Sequence, residues 1–170
     1  MSEQINWCPT LEGNTLLLRP LVTKDFDALY AAASDPEIWR LHPDSNRWQR
    51  PAFETYFVKG TTEHQALAVL DRATKQIIGS SRFYDPTPHE VKIGFTFLSR
   101  PYWGGATNFE LKSLMLNYAF QYVERALFEI AVGNLRSRRA IEKLGARLTA
   151  EPSEEASHVV YEILKSKFDF

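Results

Sequence analysis

Short apolar runs of strand length alternate along this chain with stretches whose apolar residues recur at helical spacing. Thr15-Leu16-Leu17-Leu18-Arg19 reads as a first strand, stopped by Pro20. Thr23 then precedes Asp25 and Asp27, acidic residues suited to a first helical turn, and that helix is expected to reach about Ser34, ahead of Asp35-Pro36. Leu41 to Arg50 is turn-rich, flanked by Trp39 and Trp48, and a second helix is expected over about Pro51 to Val58. Ala66–Leu70 and Gln76–Tyr84 read as strands joined by a hairpin-length turn, Asp71–Lys75. After the proline-marked loop Asp85–His89, the run 91–98 completes an antiparallel meander. Its alternation is imperfect, which suits a central strand covered on both faces.

The second half changes period. Leu111, Leu114, Met115, Tyr118 and Tyr122 predict a helix from Phe109 to roughly Glu124. Leu127–Val132 is a short apolar strand, after which Asn134 can cap a helix carrying Ser137, Ala140, Ile141 and Leu144 on one face. Gly145 is placed to stop that helix, and His158–Leu164 makes a last strand. Strands first, then strand–helix–strand–helix–strand, imply a mixed α/β sheet with helices on its faces.

With 170 residues the chain is expected to be one domain, residues 1–170 with a short N-terminal extension over 1–10. Hydrophobic residues make up 44% and aromatic ones 13%, enough for an ordinary globular core. Lys and Arg number 20 against 21 for Asp and Glu, so no global basic field exists and nucleic-acid binding by bulk phosphate contact is not expected. The single cysteine, Cys8, excludes an internal disulfide framework and a cysteine metal cluster. The polar start and the lack of a long apolar run predict a cytoplasmic chain with no membrane span.

The chemistry concentrates at Trp103-Gly104-Gly105-Ala106-Thr107-Asn108, between the 91–98 strand and the long helix. A small-residue turn that opens a helix presents free N–H groups at the positive end of the helix dipole, a ready site for a phosphate. The turn is equally compatible with a tight connection that needs only the freedom of Gly104 and Gly105. No Gly-Lys-Ser/Thr follows, so it is not a Walker loop, and the spacing of a dinucleotide fingerprint is absent.

Three segments together resemble the GNAT N-acetyltransferase superfamily: Leu16–Leu21, Tyr102–Asn108, and Asn134-Leu135-Arg136-Ser137-Arg138-Arg139-Ala140-Ile141-Glu142-Lys143-Leu144-Gly145-Ala146. The likeness covers about residues 11 to 165 and is nearest to the branch of ribosomal-protein N-terminal acetyltransferases. It implies an α/β fold of α+β type, with a mixed, mostly antiparallel central sheet of about six to seven strands flanked by about four helices. It implies acetyl-CoA as co-substrate, no metal, and transfer to a primary amine, most readily a peptide N-terminal α-amine. A small-amine or amino-acid acceptor, or a non-catalytic acyl-CoA-binding module, are the alternatives. The partners expected are the amine acceptor alone, with no nucleic acid or membrane, and the chain a monomer or homodimer.

The resemblance also assigns residues. The CoA pyrophosphate would rest on the amides of Gly104, Gly105, Ala106, Thr107 and Asn108, although Trp103, Ala106 and Asn108 depart from the usual Arg/Gln-x-x-Gly-x-Gly/Ala pattern. The pantetheine arm would follow Phe97, Leu98 and Ser99, with an oxyanion donor around Phe97 or Leu98. Asn134, Ser137 and Arg138 are further cofactor contacts, within a basic cluster that includes Arg136, Arg139 and Lys143; a solvated helix face is its other reading. Relatives often place a tyrosine acid where Ile141 stands here, which leaves Ser137 as the candidate general acid, or as a helix-start cap. Glu90 is the candidate base, alongside Glu63, His64 and His89, since Lys92 stands where relatives carry an acidic residue. Trp39, His42 and Tyr84, with Trp48 and Phe53, are candidates to line the acceptor pocket or the core.

Overall fold

The computed structural model describes residues 3–63 and 65–169. Eight strands form one sheet: β1 (Leu11–Glu12), β2 (Leu16–Pro20), β3 (Ala66–Asp71), β4 (Ile77–Tyr84), β5 (Glu90–Leu98), β6 (Arg125–Ala131), β7 (Arg147–Leu148) and β8 (His158–Leu164). Their order is β1-β2-β3-β4-β5-β6-β8-β7, antiparallel throughout except between β5 and β6. Five α-helices accompany them: α1 (Phe26–Ala33), α2 (Pro36–Trp39), α3 (Arg50–Thr62), α4 (Thr107–Ala119) and α5 (Leu135–Lys143). The mixed, mostly antiparallel sheet is as expected. The two extra strands are each two residues long and carry no periodicity to read.

The sheet separates two cores. On one face α4 and α5 bury Leu111, Met115 and Ile141 against Leu18, Ile93 and Phe128; on the other, α1 to α3 bury Leu29, Phe53 and Phe57 against Ala68 and Phe97. Trp7 of the N-terminal segment packs its ring on Phe83, Tyr118 and Tyr122, so that segment lies on the first core.

Several boundaries differ from expectation for identifiable reasons. Thr23–Asp25 is a 3-10 turn, with α1 proper starting at Phe26, because Asp25 is used sideways. Its carboxylate takes two guanidinium bonds from Arg19 and the Val22 N–H. Helix α2 was hidden in Asp35-Pro36-Glu37, where Asp35 caps through the Glu37 N–H and Pro36 occupies the first turn. Helix α4 spans Thr107–Ala119 rather than reaching Glu124; the chain turns there so that Val123 is buried before β6 begins.

Strand β5 positions the site. It is covered on both faces, but its edge toward β6 is paired only at Glu90, Val91 and Lys92. Beyond Lys92 the two parallel strands part. Ser80 pairs with Phe97 and Arg82 with Gly94, so β5 carries one extra residue opposite β4, a bulge, with Phe95 at φ +52°. A left-handed aromatic residue is unfavourable by about 1–2 kcal/mol and must be held by its surroundings. Tyr56 Oη donates to the Phe95 carbonyl at 2.7 Å, the Arg82 guanidinium lies 4.1 Å from the Phe95 ring centroid, and Tyr84 packs edge-on against it. The bulge bends β5, and the wedge between β5 and β6 opens into a cleft.

Candidate functional site

The cleft has a volume of about 590 Å³ and is walled by β5, β6, the starts of α4 and α5, and the α2–α3 connection. It opens at the carboxyl ends of two parallel strands whose following helices both begin at its rim, the usual place for a ligand in a sheet of this kind. One end is the turn before α4. Gly104 is at φ +75°, a conformation that glycine adopts without a Cβ penalty, whereas Ala106 is at φ −81° and its methyl group introduces no strain. A Cβ on Gly104 or Gly105 would meet nothing within 4 Å, so the space over the turn is open. Among the described residues the N–H groups of Gly104, Gly105, Ala106, Thr107 and Asn108 make no hydrogen bond within the chain. These successive donors at the start of a 13-residue helix fit a pyrophosphate.

The middle of the cleft is the free edge of β5. The Phe97 carbonyl faces Gly79 of β4, and Ser99 N donates to Ile78 O, so strand alternation turns the Leu98 N–H toward the gap. The Leu98 carbonyl is already taken by the Trp103 indole at 2.8 Å. The amide that faces the gap is therefore that of Leu98 rather than Phe97, whose ring is core, packed on Trp39 and Tyr56. Ser99 is not a cleft residue: its hydroxyl binds Ala32 O on the far face. Asn108 and Trp103 line the cleft, whereas Ala106 and Thr107 offer amides alone.

On α5, Asn134 Oδ1 accepts the Ser137 N–H at 3.2 Å, so asparagine is the cap and the Ser137 hydroxyl is left without a partner among the described residues. Both line the cleft, with Ile141 one turn further on. Arg138 does not: it donates to Tyr161 Oη and Val132 O, away from the cleft. The cluster's cleft residue is Arg136, whose guanidinium stacks 4.0 Å from the Trp103 ring and donates to Ile38 O. Arg139 and Lys143 lie on the outward face, as the solvated-face reading has it.

Glu90 is misplaced for a base. It stands where β5 and β6 are still paired, bonded to Arg125 through Nε and Nη2, at the opposite end of the strand from the cleft. His89 belongs to the same distant turn, where its carbonyl accepts the Glu124 and Arg125 N–H groups. Glu63 reaches toward buried Arg82 instead, and His64 lies outside the described residues.

The other end of the cleft carries Trp39, His42, Asp44, Arg47, Tyr84, Glu129 and His158. Trp39, His42 and Tyr84 all line this end of the cleft, and Trp39 is at the same time part of the second core. Phe53 and Trp48 are not lining residues; Phe53 is fully buried in the second core. His42 Nδ1 accepts the Asp44 N–H, and burial together with the Arg47 charge lowers its pKa to about 4, which leaves the ring neutral at pH 7. Arg47 lies over the Tyr56 and Trp39 rings, anchored to Asp44 at 2.6 Å. Burial and the neighbouring Glu129 carboxylate push the Tyr84 phenol up, so it acts as a hydrogen-bond donor, 3.4 Å from Glu129 Oε2. Lys92 Nζ completes this group 3.4 Å from Glu129 Oε1.

Asp44, Arg47, Lys112, Glu129 and His158 line the cleft although nothing in the sequence analysis singled them out for it, and two of them carried a signal. Glu129 is a lone acid in the apolar strand Arg125–Ala131, and Lys112 is a lone cation beside Leu111 on an apolar helix face. An out-of-pattern charge was the available signal in both.

The family model described as an acetyltransferase (GNAT) domain matches residues 15–147. No curated protein matches the chain. Among solved structures, a GCN5-related N-acetyltransferase from Brucella melitensis superposes with a TM-score of 0.80 at 22% identity, over 94% of this chain and 80% of that one. A GNAT-family acetyltransferase from Bacillus anthracis gives 0.76 at 20% identity, over 93% and 99%. Mycobacterium smegmatis RimJ in complex with CoA-disulfide gives 0.69 at 14% identity, over 95% and 90%. These likenesses show the shared fold, and the family match over most of the length shows that the chain belongs to the GNAT acetyltransferase family.

Proposed function

We propose that the protein is an acetyl-CoA-dependent N-acetyltransferase acting on a primary amine, most readily the N-terminal α-amine of a protein or peptide. Acetyl transfer is the chemistry of the family. Acetyl-CoA supplies the thioester, and the observation that carries the reading is the row of unbonded amides from Gly104 to Asn108 at the mouth of the wedge between β5 and β6. The Gly104–Asn108 amides hold phosphate, and Arg136 stands as the nearby cation. The Leu98 N–H points where an acyl oxygen would gain charge, and the Ser137 hydroxyl is free to donate a hydrogen bond to sulfur.

The acceptor reading rests on the titratable groups at the far end of the cleft. A peptide α-amine, with a pKa of roughly 7.7–8.0, is partly neutral at pH 7, whereas a lysine side chain near 10.4 needs a base. His42 is neutral but too acidic in its conjugate form to be an effective base at that pH. Glu129 and Asp44 offer carboxylates that attract an ammonium group before it loses its proton. Free thiol released from acetyl-CoA in the presence of peptide α-amines, lysine peptides and small amines tests the proposal. Turnover fastest with α-amines supports it; turnover confined to a small amine would move the acceptor class, and no binding of acetyl-CoA by calorimetry would refute the reading.

A further inference from the structure

Asn108 and Lys112 stand one turn apart on α4, and both line the cleft. The helix thus lays a stripe along the wedge that starts beside the unbonded amides and reaches the bulged part of β5 at Lys112. Lys112 is 4% exposed. Its Nζ donates to Thr96 Oγ1 at 2.5 Å, lies 5.9 Å from the Phe128 ring centroid, and has no carboxylate partner among the described residues. Thr96 Oγ1 is in turn 2.8 Å from Ser81 Oγ. An ammonium buried beside hydroxyls and a ring is costly, and burial lowers its pKa to about 7. A leucine or methionine at this place would complete the α4 core face without that penalty. A buried amine without a carboxylate partner in the wall of a cleft marks a point where negative charge or a proton is needed.

The reaction has such a point. Ile141 cannot act as an acid, and a serine hydroxyl at Ser137 donates a hydrogen bond without surrendering its proton at neutral pH. Resting on the acetyl-CoA reading above, we propose that Lys112 is the proton donor to the departing CoA sulfur. The amine nitrogen bonds to the acetyl carbon and the C–S bond breaks, its electron pair leaving with sulfur. One proton passes from the Lys112 ammonium to that sulfur, giving CoA thiol and a neutral lysine. The proton shed by the attacking amine goes to solvent, from which Lys112 is recharged.

Besides Tyr84 and Tyr102, the titratable groups sharing the cleft are Glu129, His158, Arg136 and the His42–Asp44–Arg47 group, and none of them pairs with Lys112. The test needs no acceptor. CoA and desulfo-CoA, which lacks the thiol, are titrated into the full chain and into Lys112→Met, and ionisation of bound CoA is followed by thiolate ultraviolet absorbance from neutral to alkaline pH. The thiol of CoA bound to the wild-type chain should ionise at lower pH than free CoA. Lys112→Met should abolish that shift while binding desulfo-CoA as the wild type does. In the wild-type chain itself, lysine-labelled NMR should show the Lys112 ionisation moving to higher pH on binding CoA thiolate and staying put with desulfo-CoA. An unshifted thiol, a shift that survives Lys112→Met, or a lysine moved equally by desulfo-CoA would overturn the assignment. Failure of both compounds to bind would instead remove the acetyl-CoA reading.

Discussion

Tyr56→Phe isolates the hydrogen bond that holds the β5 bulge. The ring stays, so Arg47 and Arg82 keep the face on which they stack, 4.8 and 5.0 Å from its centroid. What is lost is the 2.7 Å bond from Tyr56 Oη to the Phe95 carbonyl. Tyr56 is 5% exposed, so the orphaned carbonyl gains little water in exchange. Leaving a buried acceptor unsatisfied costs about 1–3 kcal/mol, and partial access through the cleft places this case near the lower half, about 1–2 kcal/mol. For a domain of this size that corresponds to a fall in Tm of roughly 2–8 °C. Urea unfolding followed by tryptophan fluorescence should show a lower midpoint at unchanged slope. Because Phe95 is left-handed at φ +52°, weakening its anchor also frees the bulge, and acetyl-CoA affinity should fall with stability. A midpoint within about 0.3 kcal/mol of the wild type, well inside the range of an ordinary surface change, would refute the claim that this bond holds the bulge.

Gly105→Pro removes one donor from the turn and fixes φ, and acetyl-CoA binding by calorimetry should drop below detection while the unfolding midpoint stays near wild type. Ser137→Ala should lower turnover about 10-fold or more with acetyl-CoA affinity nearly intact, because the hydroxyl is free and asparagine does the capping; unchanged turnover removes Ser137 from the chemistry. His42 has its pKa lowered from 6.5 to about 4, so the unfolded chain binds a proton there that the folded chain does not. Its contribution is absent above about pH 6.5 and destabilises progressively as pH falls toward 4; His42→Gln should flatten that part of the stability–pH curve. Equal curves for the two proteins would place the ring in water.

The elements with strong period are legible in the sequence. Alternating or continuous apolar runs gave β2, β3, β4, β6 and β8, and the Leu111–Met115–Tyr118 spacing gave α4, since burial on one face imposes period on sequence directly. Two-residue β1 and β7 left no such trace. The site divides along the same line. Gly104–Asn108 and Asn134–Ser137 are local motifs, each a turn that opens a helix, and both are legible from adjacent residues. Glu90 is close in sequence to the 91–98 run, but a strand of that length puts its two ends far apart, and Glu90 lies at the paired end.

By itself, then, the sequence determined the mixed α/β architecture, the glycine turn that opens α4 and the capped helix beside it, because capping, turn conformation and periodic burial act between near neighbours in the chain. Tertiary structure alone decided that β5 and β6 part after Lys92, that a bulge at Phe95 opens the wedge, and that Leu98 rather than Phe97 turns its N–H into it. It also decided that Arg136 rather than Arg138 faces the cleft, and it brought Lys112 of α4 to Thr96 of β5 and Glu129 of β6 to Tyr84 of β4. Those meetings depend on strand register and helix rotation, which the packing of the whole sheet sets and no single segment encodes.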